Sequence, residues 1–409
     1  MLFLLAMLTA SATTQSIERV SVGSDEKESE APCLWPSVSA DGRFVAFGSA
    51  ARNLVPGKKE RHFDVFVRDR ELGTTEAASL GPGSEPGNHD SYMPSLSGDG
   101  RVVAFVSVAS NLVPKDTPDT WDVFVRDRKK NLTQCVSLNL AGAPGTGPAG
   151  YPVVSADGRY VAFQSEAQDL VLDCKAGCSQ VYVRDLANQK TECVSVVPSG
   201  AVGKTWSAWP SLSADGRYVA FVGTDGLDGG SPFAPGHVFV RDRRDKKTVR
   251  ASLASNEAQA DAACDWGSIS GDGRFVAFSS TAANLGAASG THPNIFLRDM
   301  VGGTTTWVSR GVKGAAPDGT SSMPYVSADG RYVSFTSWAS NLVPGDTGGF
   351  ADVFRWDRTR RETRAMSRGN GSSRAFGLSS EGRVVFESES SDLVEGDTNG
   401  AADIFLASP

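Results

Sequence analysis

Aspartate and asparagine side chains recur at alternate positions in three loops of this sequence. The clearest case is the stretch GDTNGAAD, from Gly396 to Asp403. Oxygen atoms held around a glycine turn are the ligands that calcium prefers in proteins. The spacing therefore predicts calcium as a cofactor, bound by Asp397, Asn399 and Asp403, with Asp346 and Asp352 and with Asp116, Asp119 and Asp122 as the corresponding ligands of two other loops. The alternative is that these side chains form Asx turns that lead the chain into the next strand.

A second set of residues shares one place in a repeated sequence pattern, and each member has a large apolar or aromatic side chain. The set is Trp35, Met93, Tyr151, Trp209, Trp266 and Met323, with Ala375 at the last place. Such a set, gathered at one opening, would form a stacking platform for a sugar or an anchor pocket for a peptide. The alternative is that the side chains pack against each other and fill the opening.

Histidines are the other residues with chemical potential, and the sequence has four, at positions 62, 89, 237 and 292. None stands beside a serine, cysteine or carboxylate pattern that predicts a nucleophile and its base. No nucleophile elbow, zinc-protease motif or phosphate loop is present in the sequence. The sequence therefore favours a protein without catalytic activity. A lyase-type site, in which two histidines and a metal meet over a channel, is the alternative.

The element that positions all these residues is a repeat. The stretch SADGRFVAF, from Ser39 to Phe47, returns six more times, and its acidic residues lie 58, 58, 58, 57, 57 and 52 residues apart. A fixed period of this size indicates a repeat architecture. Asp-Gly between two apolar stretches is typical of a tight β-hairpin, because glycine supplies the positive φ that the turn needs.

Each repeat predicts four strands, which we label a to d in chain order. In the first repeat, strand a is the small-residue stretch 36–39, while strands b (44–47) and c (64–67) are apolar without alternation. Strands that lack alternation are covered on both faces, which a sandwich or an up-and-down barrel does not provide for its middle strands. The pattern predicts an all-β, seven-bladed β-propeller of four-stranded antiparallel blades.

The two chain ends predict how the ring closes. The last repeat ends after a c strand, whereas Ser16 to Val22 matches the d pattern and precedes the first repeat. We therefore expect this N-terminal strand to complete the seventh blade, so that residues 16–409 form one closed domain without exposed edges. The short turns then share one face, and the long b-to-c and d-to-a loops share the opposite face, where we place any binding site.

Composition bounds the partners and the compartment. Forty Lys and Arg face forty-seven Asp and Glu, for a net charge of -7, and no basic cluster predicts a nucleic-acid partner. The recurrent Arg-Asp-Arg turns predict a solvated rim of paired charges. Residues 1–12 are apolar and end in Ala-Ser-Ala, which predicts a signal peptide too short to span a bilayer, and hence no transmembrane segment and a periplasmic or secreted protein.

The six cysteines fit an oxidising compartment. Cys174 and Cys178 share one loop and are the predicted disulfide, whereas the other four are expected to be buried thiols.

The block PSVSADGRFVAFGSAARNLV followed by DVFVRDR, repeated as PSLSGDGRVVAFVSVASNLVP with DVFVRDR, resembles the WD-like repeats of the TolB-type β-propeller family. The resemblance covers nearly the whole chain and implies an exported, non-enzymatic scaffold, expected to be a monomer, that binds a protein or peptide. Carbohydrate is the alternative ligand, since similar repeats occur in oligogalacturonate lyases. Proteins of the TolB family carry an N-terminal α/β domain and six blades, whereas this sequence predicts seven blades and leaves no room for that domain. The resemblance therefore assigns no site residue.

Overall fold

The structure is a closed ring of seven four-stranded antiparallel sheets, as the repeat predicts. The computed structural model describes residues 15–114, 116, 119–172, 177–224, 226–228, 236–286, 292–346 and 349–408. The predicted signal peptide at 1–12 and Cys174 lie outside these residues. Among the described residues, no helix is long and apolar enough to cross a membrane.

The strands are numbered along the chain. Blades one to three contain β2 (Cys33–Val38), β3 (Phe44–Ser49), β4 (Asp64–Asp69), β5 (Thr74–Ala77), β6 (Ser91–Leu96), β7 (Val102–Ser107), β8 (Asp122–Asp127), β9 (Leu132–Cys135), β10 (Ala149–Val154), β11 (Tyr160–Ser165), β12 (Gln180–Asp185) and β13 (Lys190–Cys193). Blades four and five contain β14 (Ser207–Leu212), β15 (Tyr218–Gly223), β16 (His237–Asp242), β17 (Lys247–Arg250), β18 (Cys264–Ile269), β19 (Phe275–Ser280), β20 (Asn294–Asp299) and β21 (Thr304–Trp307). Blades six and seven contain β22 (Ser321–Val326), β23 (Tyr332–Ser337), β24 (Asp352–Asp357), β25 (Glu362–Ala365), β26 (Ser373–Leu378), β27 (Val384–Ser388), β28 (Asp403–Ala407) and the N-terminal β1 (Ile17–Arg19). Three short 3-10 turns span Pro82–Ser84, Ala283–Leu285 and Val312–Gly314.

The repeated Asp-Gly turn joins strands a and b. In the first blade Gly42 has a φ of 74°, which explains the glycine. The Asp41 carboxylate accepts hydrogen bonds from the Ser39 hydroxyl at 2.6 Å and from the Arg43 amide at 2.9 Å. The Ser39 hydroxyl in turn accepts a bond from the Phe44 amide at 2.9 Å. The Ser-x-Asp-Gly-Arg motif is therefore a self-contained turn.

Strands b and c form the core, because both of their faces are buried against neighbouring strands or blades. In each blade a ring on strand b faces a ring on strand c, as Phe105 faces Phe124 with 5.9 Å between the ring centroids. The equivalent pairs are Phe47 and Phe66, Phe163 and Tyr182, Phe221 and Phe239, Phe278 and Phe296, Phe335 and Phe354, and Phe386 and Phe405. The apolar clusters lie between adjacent blades, so the core is a series of seams around the ring.

The predicted closure is confirmed. Strand β1 pairs antiparallel with β28, with Ile17 opposite Ala407 and Arg19 opposite Phe405. The ladder is shorter than the predicted strand, and it continues through the Val20 amide, which donates to the Ile404 carbonyl at 2.8 Å. The chain ends therefore share one sheet.

The charged turns at the rim differ in part from the prediction. Arg43 donates two bonds to the Asp69 carboxylate, at 2.9 and 2.7 Å, and five other blades repeat this pair. Hydrogen bonds from Arg159 lower the pKa of its partner Asp185 to about 2. The first arginine of these turns is not fully solvated, because Arg68 and Arg126 are buried and Arg241 is half-buried.

Strand a is longer than predicted and lies innermost. It begins at Cys33 rather than Pro36, because the residues before the proline also pair with strand b. At the turn end, backbone bonds join neighbouring inner strands, as from the Ala40 amide to the Gly98 carbonyl and from the Gly98 amide to the Ala156 carbonyl, both at 2.9 Å. Such bonds occur at six of the seven junctions, so the inner strands converge at this end.

Candidate functional site

The six residues of the predicted ring share an unusual backbone conformation. Each lies inside strand a, at a β-bulge, with a φ between 51° and 55°. This left-handed region strains residues other than glycine, by about 1–3 kcal/mol each. A proline disfavours helical backbone conformations of the residue before it and favours extended ones, which adds strain. Proline follows at five of the six positions. Glycine would be the easier residue here, yet the chain carries Trp, Tyr and Met.

The bulge turns all six side chains into one cavity at the mouth of the channel. This cavity, the mouth cup, has a volume of about 490 Å³ and lies on the face of the long loops. Tyr325 and Phe376 also line it, and Phe376 stands between the shifted register positions of β26. The predicted ring of side chains is thus brought together by the structure. What it binds stays a prediction.

Further aromatic residues extend the mouth cup outward. The rings of Trp209 and Trp266 are stacked, with centroids 5.6 Å apart and an interplanar angle of 28°. Trp206 meets Trp209 edge-on at 5.8 Å. On the other side Trp35 meets Tyr92 at 5.0 Å, and Tyr92 meets Trp121 at 5.5 Å. The sequence reasoning missed Tyr92, Trp121 and Trp206, although each stands in or next to the variable loops.

Two flanking cavities share ring residues with the mouth cup. One, of about 360 Å³, lies beside Trp35, Met93 and Tyr151, and the other, of about 380 Å³, lies beside Trp266 and Met323. Since each flanking cavity and the mouth cup have these side chains in common, a ligand longer than the cup could extend into either one.

One ion pair supplies the charge of the mouth cup. Glu387 Oε1 accepts a bond from Arg374 at 3.1 Å, and burial raises the pKa of Glu387. Its Oε2 accepts the amide of Trp35 at 3.2 Å. Gln164 accepts the amide of Trp209 in the same way, also at 3.2 Å. Polar side chains of strand b therefore support two of the strained bulges.

The predicted calcium ligands lie in several different environments. Asp397 and Asp403 come together with Glu28, with their carboxylate oxygens within 4.8 Å of one another. The guanidinium of Arg19 lies among them, 2.7 Å from Glu28 and 3.6 Å from each aspartate. Asn399 turns its amide nitrogen toward Asp403 at 2.9 Å. Calcium at this cluster stays a prediction, and Arg19 already supplies a positive charge.

Titration behaviour divides the same cluster. Burial raises the pKa of Asp397 and of Asp403. Burial acts the same way on Glu28, but hydrogen bonds from Thr398 and the charge of Arg19 outweigh it and lower the pKa of Glu28.

The first residue of strand c has a structural role in every blade, which the sequence reasoning missed. Asp403 accepts the Ser21 hydroxyl at 2.6 Å, and Asp122 accepts the Ser137 hydroxyl at 2.6 Å. The remaining pairs are Asp64 and Ser79, Gln180 and Ser195, His237 and Ser252, Asn294 and Ser309, and Asp352 and Ser367. The hydroxyl of each serine also accepts the next strand-c amide. Since glutamine, histidine and asparagine substitute for aspartate, the position needs a hydrogen-bond partner rather than a charge.

The other predicted ligands lie around this position. Burial and the neighbouring charge of Asp346 raise the pKa of Asp352 to about 6, although the Ser367 hydrogen bond opposes them. Asp346 and Asp352 line one small cavity of about 330 Å³. Asp119 is exposed, whereas Asp122 is buried.

The histidines do not converge. His89 is exposed, His62 and His292 are half-buried, and none of the four lines the mouth cup. His237 is buried, because it takes the first position of strand c. Among the described residues, no group of three metal-ligating side chains includes a histidine.

Of the four cysteines that are expected to be buried thiols, three are buried. Burial raises the pKa values of Cys33, Cys135 and Cys264 to about 12, whereas Cys193 is only half-buried. The disulfide between Cys174 and Cys178 stays a prediction, because Cys174 lies outside the described residues.

Comparison with solved structures gives fold relatives. The β-propeller domain of the Trilobed protease from Pyrococcus furiosus is 12% identical, with 92% of this chain and 95% of that chain covered and a TM-score of 0.57. An oligogalacturonate lyase from Vibrio parahaemolyticus is 13% identical, with 97% and 94% covered and a TM-score of 0.56. TolB from Acinetobacter baumannii is 17% identical, with a TM-score of 0.40, and the match spans 67% of this chain and about half, 53%, of TolB.

No family model and no curated protein sequence matches the chain. The Trilobed protease domain and the oligogalacturonate lyase establish the β-propeller fold, which they share with this chain.

Proposed function

We propose that this chain is a non-enzymatic, exported propeller that binds a protein or peptide through the mouth cup. The observation that carries the proposal is the strain at the six bulges. Bulky side chains persist where glycine would relax the backbone, and strain of this kind is concentrated at functional sites. A packed plug would not require a cavity of about 490 Å³ between the same side chains.

The chemistry of the mouth cup suits a peptide. Aromatic and methionine side chains surround a cup that contains one ion pair, between Arg374 and Glu387. Such surfaces anchor apolar side chains of a partner, and the ion pair orients the partner. The serines of the inner strands are already engaged as acceptors, as Ser37 is by the Leu96 amide at 3.0 Å.

The test is a capture experiment with purified full-length protein and envelope extract. We expect one stoichiometric protein partner, retained by the wild type and lost in the double variant Trp209→Ala and Trp266→Ala. Trp338→Ala is the matched control, because Trp338 is an exposed indole that does not line the mouth cup. The partner is then purified, and direct binding by the same variants is measured by calorimetry.

Two outcomes contradict the proposal. Equal loss of the partner in Trp338→Ala indicates adhesion to exposed indoles, and retention of glycans that depends on Trp209 and Trp266 favours the carbohydrate alternative. Export is tested with a reporter that is active only outside the cytoplasm, fused after Pro409. Light scattering of the eluted protein tests the expected monomer.

A further inference from the structure

The hairpins before blades one and five are each fastened to the next blade in two ways. The Thr75 hydroxyl donates to the Val22 carbonyl, and Thr305 does the same to Leu253. The buried arginine of strand c also reaches the hairpin, as Arg68 donates to the Gly23 carbonyl at 3.1 Å. Arg298 donates likewise to the Ala254 carbonyl at 3.2 Å. These bonds close the junctions before blades one and five.

The junction before blade six has different residues at the same positions. Arg310 replaces the apolar residue that is Val22 or Leu253 elsewhere, and its amide makes the same bond, to the Val308 carbonyl at 2.9 Å. Trp356 replaces the arginine that is Arg68 in blade one. An indole offers one donor and no charge, so the arginine bond to the hairpin cannot form here.

A groove of about 750 Å³ lies at this junction, between the outer strands of blades five and six. Trp307 and Trp356, both buried, form its apolar floor. Arg310, Lys313 and Arg361 are exposed and line its rim. We call it the blade-six groove.

In the part of the chain that the structure describes, no ion pair engages these three cations. The ion pairs nearby engage other residues, namely Arg298 with Glu257, Arg331 with Asp357, and Arg364 with Glu362. No carboxylate among the described lining residues faces Arg310, Lys313 or Arg361. Glu26 and Glu257 in other hairpins correspond to Gly314 here, so the hairpin has also lost an acid.

Arg310 is held in place before any ligand arrives. Its guanidinium lies 5.0 Å over the ring of Trp307, and the indole of Trp307 is fixed by a bond to Asn294 at 3.1 Å. A stacked guanidinium keeps its N–H edges free for a carboxylate. In a chain with net charge -7, this local reversal of sign points to an anionic ligand.

We propose that the blade-six groove binds an acidic oligosaccharide, a chain of sugars that carry carboxylates. The cationic rim fits the carboxylates, and the parts of the two buried indoles that border the groove form an apolar floor beneath the sugar ring. Amide and hydroxyl groups of Asn256, Asn284, Thr306 and Thr363 line the groove and suit the sugar hydroxyls. An acidic peptide would use the cations but has fewer hydroxyl groups to offer these side chains. The site is separate from the mouth cup and does not depend on the function proposed for it.

The test is calorimetry of the full-length protein with an alginate oligosaccharide as the probe. We expect the double variant Arg310→Leu and Arg361→Asn to bind about tenfold more weakly or worse, as the loss of two charge-assisted contacts requires. Both substitutions install residues that other blades carry at these positions, Leu253 and Asn131, so the fold is expected to survive. The matched control is Lys246→Asn, at the position of Arg361 in blade four, and it should weaken binding less than about twofold because it changes only distant charge.

Several results would overturn the assignment. They are no binding of alginate by the wild type, an equal effect of Lys246→Asn, and binding of inorganic phosphate or poly-glutamate as tight as that of alginate. Binding of a neutral cello-oligosaccharide with equal affinity also contradicts it. The variant Trp209→Ala with Trp266→Ala should bind alginate as the wild type does, which separates this test from that of the mouth cup.

Discussion

The backbone amide of Trp35 donates a hydrogen bond to the side chain of Glu387 at 3.2 Å. Trp35 belongs to the first blade and Glu387 to the last, so this bond spans the closure of the ring at the mouth cup. The Glu387 carboxylate also accepts a hydrogen bond from Arg374, and burial raises the pKa of Glu387. Glu387 therefore supports the strained bulge at Trp35 and also links the last blade to the first.

Replacing Glu387 separates these contributions. Glu387→Ala removes the acceptor and should lower the free energy of unfolding by about 1–3 kcal/mol, because a buried amide and an arginine lose their partner. Glu387→Gln keeps an acceptor for the Trp35 amide and should cost less. Denaturant unfolding at neutral pH measures both. Equal losses for the two variants would mean that the charge, rather than the hydrogen bond, stabilises the closure.

Tyr151 offers the cleanest test of strain, because it is 38% exposed and contributes little to the core. Its φ of 51° favours glycine. We expect Tyr151→Gly to be at least as stable as the wild type, and Tyr151→Ala to be about 1 kcal/mol less stable than Tyr151→Gly. Chemical denaturation measures the difference. If Tyr151→Gly is the less stable of the two, the side chain is structural packing, and strain at the bulges does not indicate a binding site.

Arg19 should be essential to ring closure. Its guanidinium supplies a positive charge beside Glu28, Asp397 and Asp403, and the side chain is only 12% exposed. Arg19→Met leaves a partly buried acidic cluster without its cation and should lower the free energy of unfolding by about 3–5 kcal/mol. Arg52→Met is the control, because Arg52 pairs with Glu30 at an exposed site. Similar losses in both variants would contradict a special role for Arg19.

The calcium prediction has a direct consequence for stability. If Asp397, Asn399 and Asp403 bind calcium, a concentration about a hundredfold above Kd should stabilise the wild type by about 2.7 kcal/mol. The change is measured as a rise in Tm that a chelator reverses. Asp397→Asn should abolish the rise while leaving the Ser21 bond to Asp403 in place. A Tm that does not respond to calcium contradicts the prediction.

Asp352 should make stability depend on pH. Burial raises its folded-state pKa from 3.8 to about 6, so the native state binds the proton more tightly than the unfolded state. Stability from this group is therefore present at low pH and is lost as the pH rises through about 6. Asp352→Asn, which copies Asn294 of blade five, should be more stable than the wild type at pH near 8, with the advantage gone near pH 4. An advantage that is constant across this range would contradict the raised pKa.

The sequence predicted the ring and its closure because their signals are local. The spacing of Asp41 and its equivalents counts the blades, and the d-type pattern at Ile17 identifies the closing strand. The set from Trp35 to Met323 was also visible, as equivalent positions in the repeat. The left-handed backbone conformation at those positions was not predicted, although the repeated Trp-Pro, Met-Pro and Tyr-Pro pairs indicate an irregular strand.

Contacts between distant residues were harder to predict. Nothing near Arg19 in the sequence indicates that it meets Asp397 and Asp403, more than 370 residues away, because that contact exists only once the ring is closed. Asp122 and Asp403 match the pattern of ion ligands in the sequence, whereas their hydroxyl partners, Ser137 and Ser21, lie in other segments of the chain. No local motif marks Arg310. It differs from its surroundings only in taking the place that the apolar residues Val22 and Leu253 hold in other hairpins.

The backbone bonds that draw the inner strands together at the Asp-Gly turns limit what can pass along the axis. If this convergence closes the turn end to a polypeptide, only a free terminus or a tight loop of a partner can be inserted, and only at the mouth. The inserted segment then dissociates through the same opening by which it entered. The residence time of the inserted peptide then depends on the channel mouth alone. A partner domain bound over the mouth would hold the inserted peptide in place.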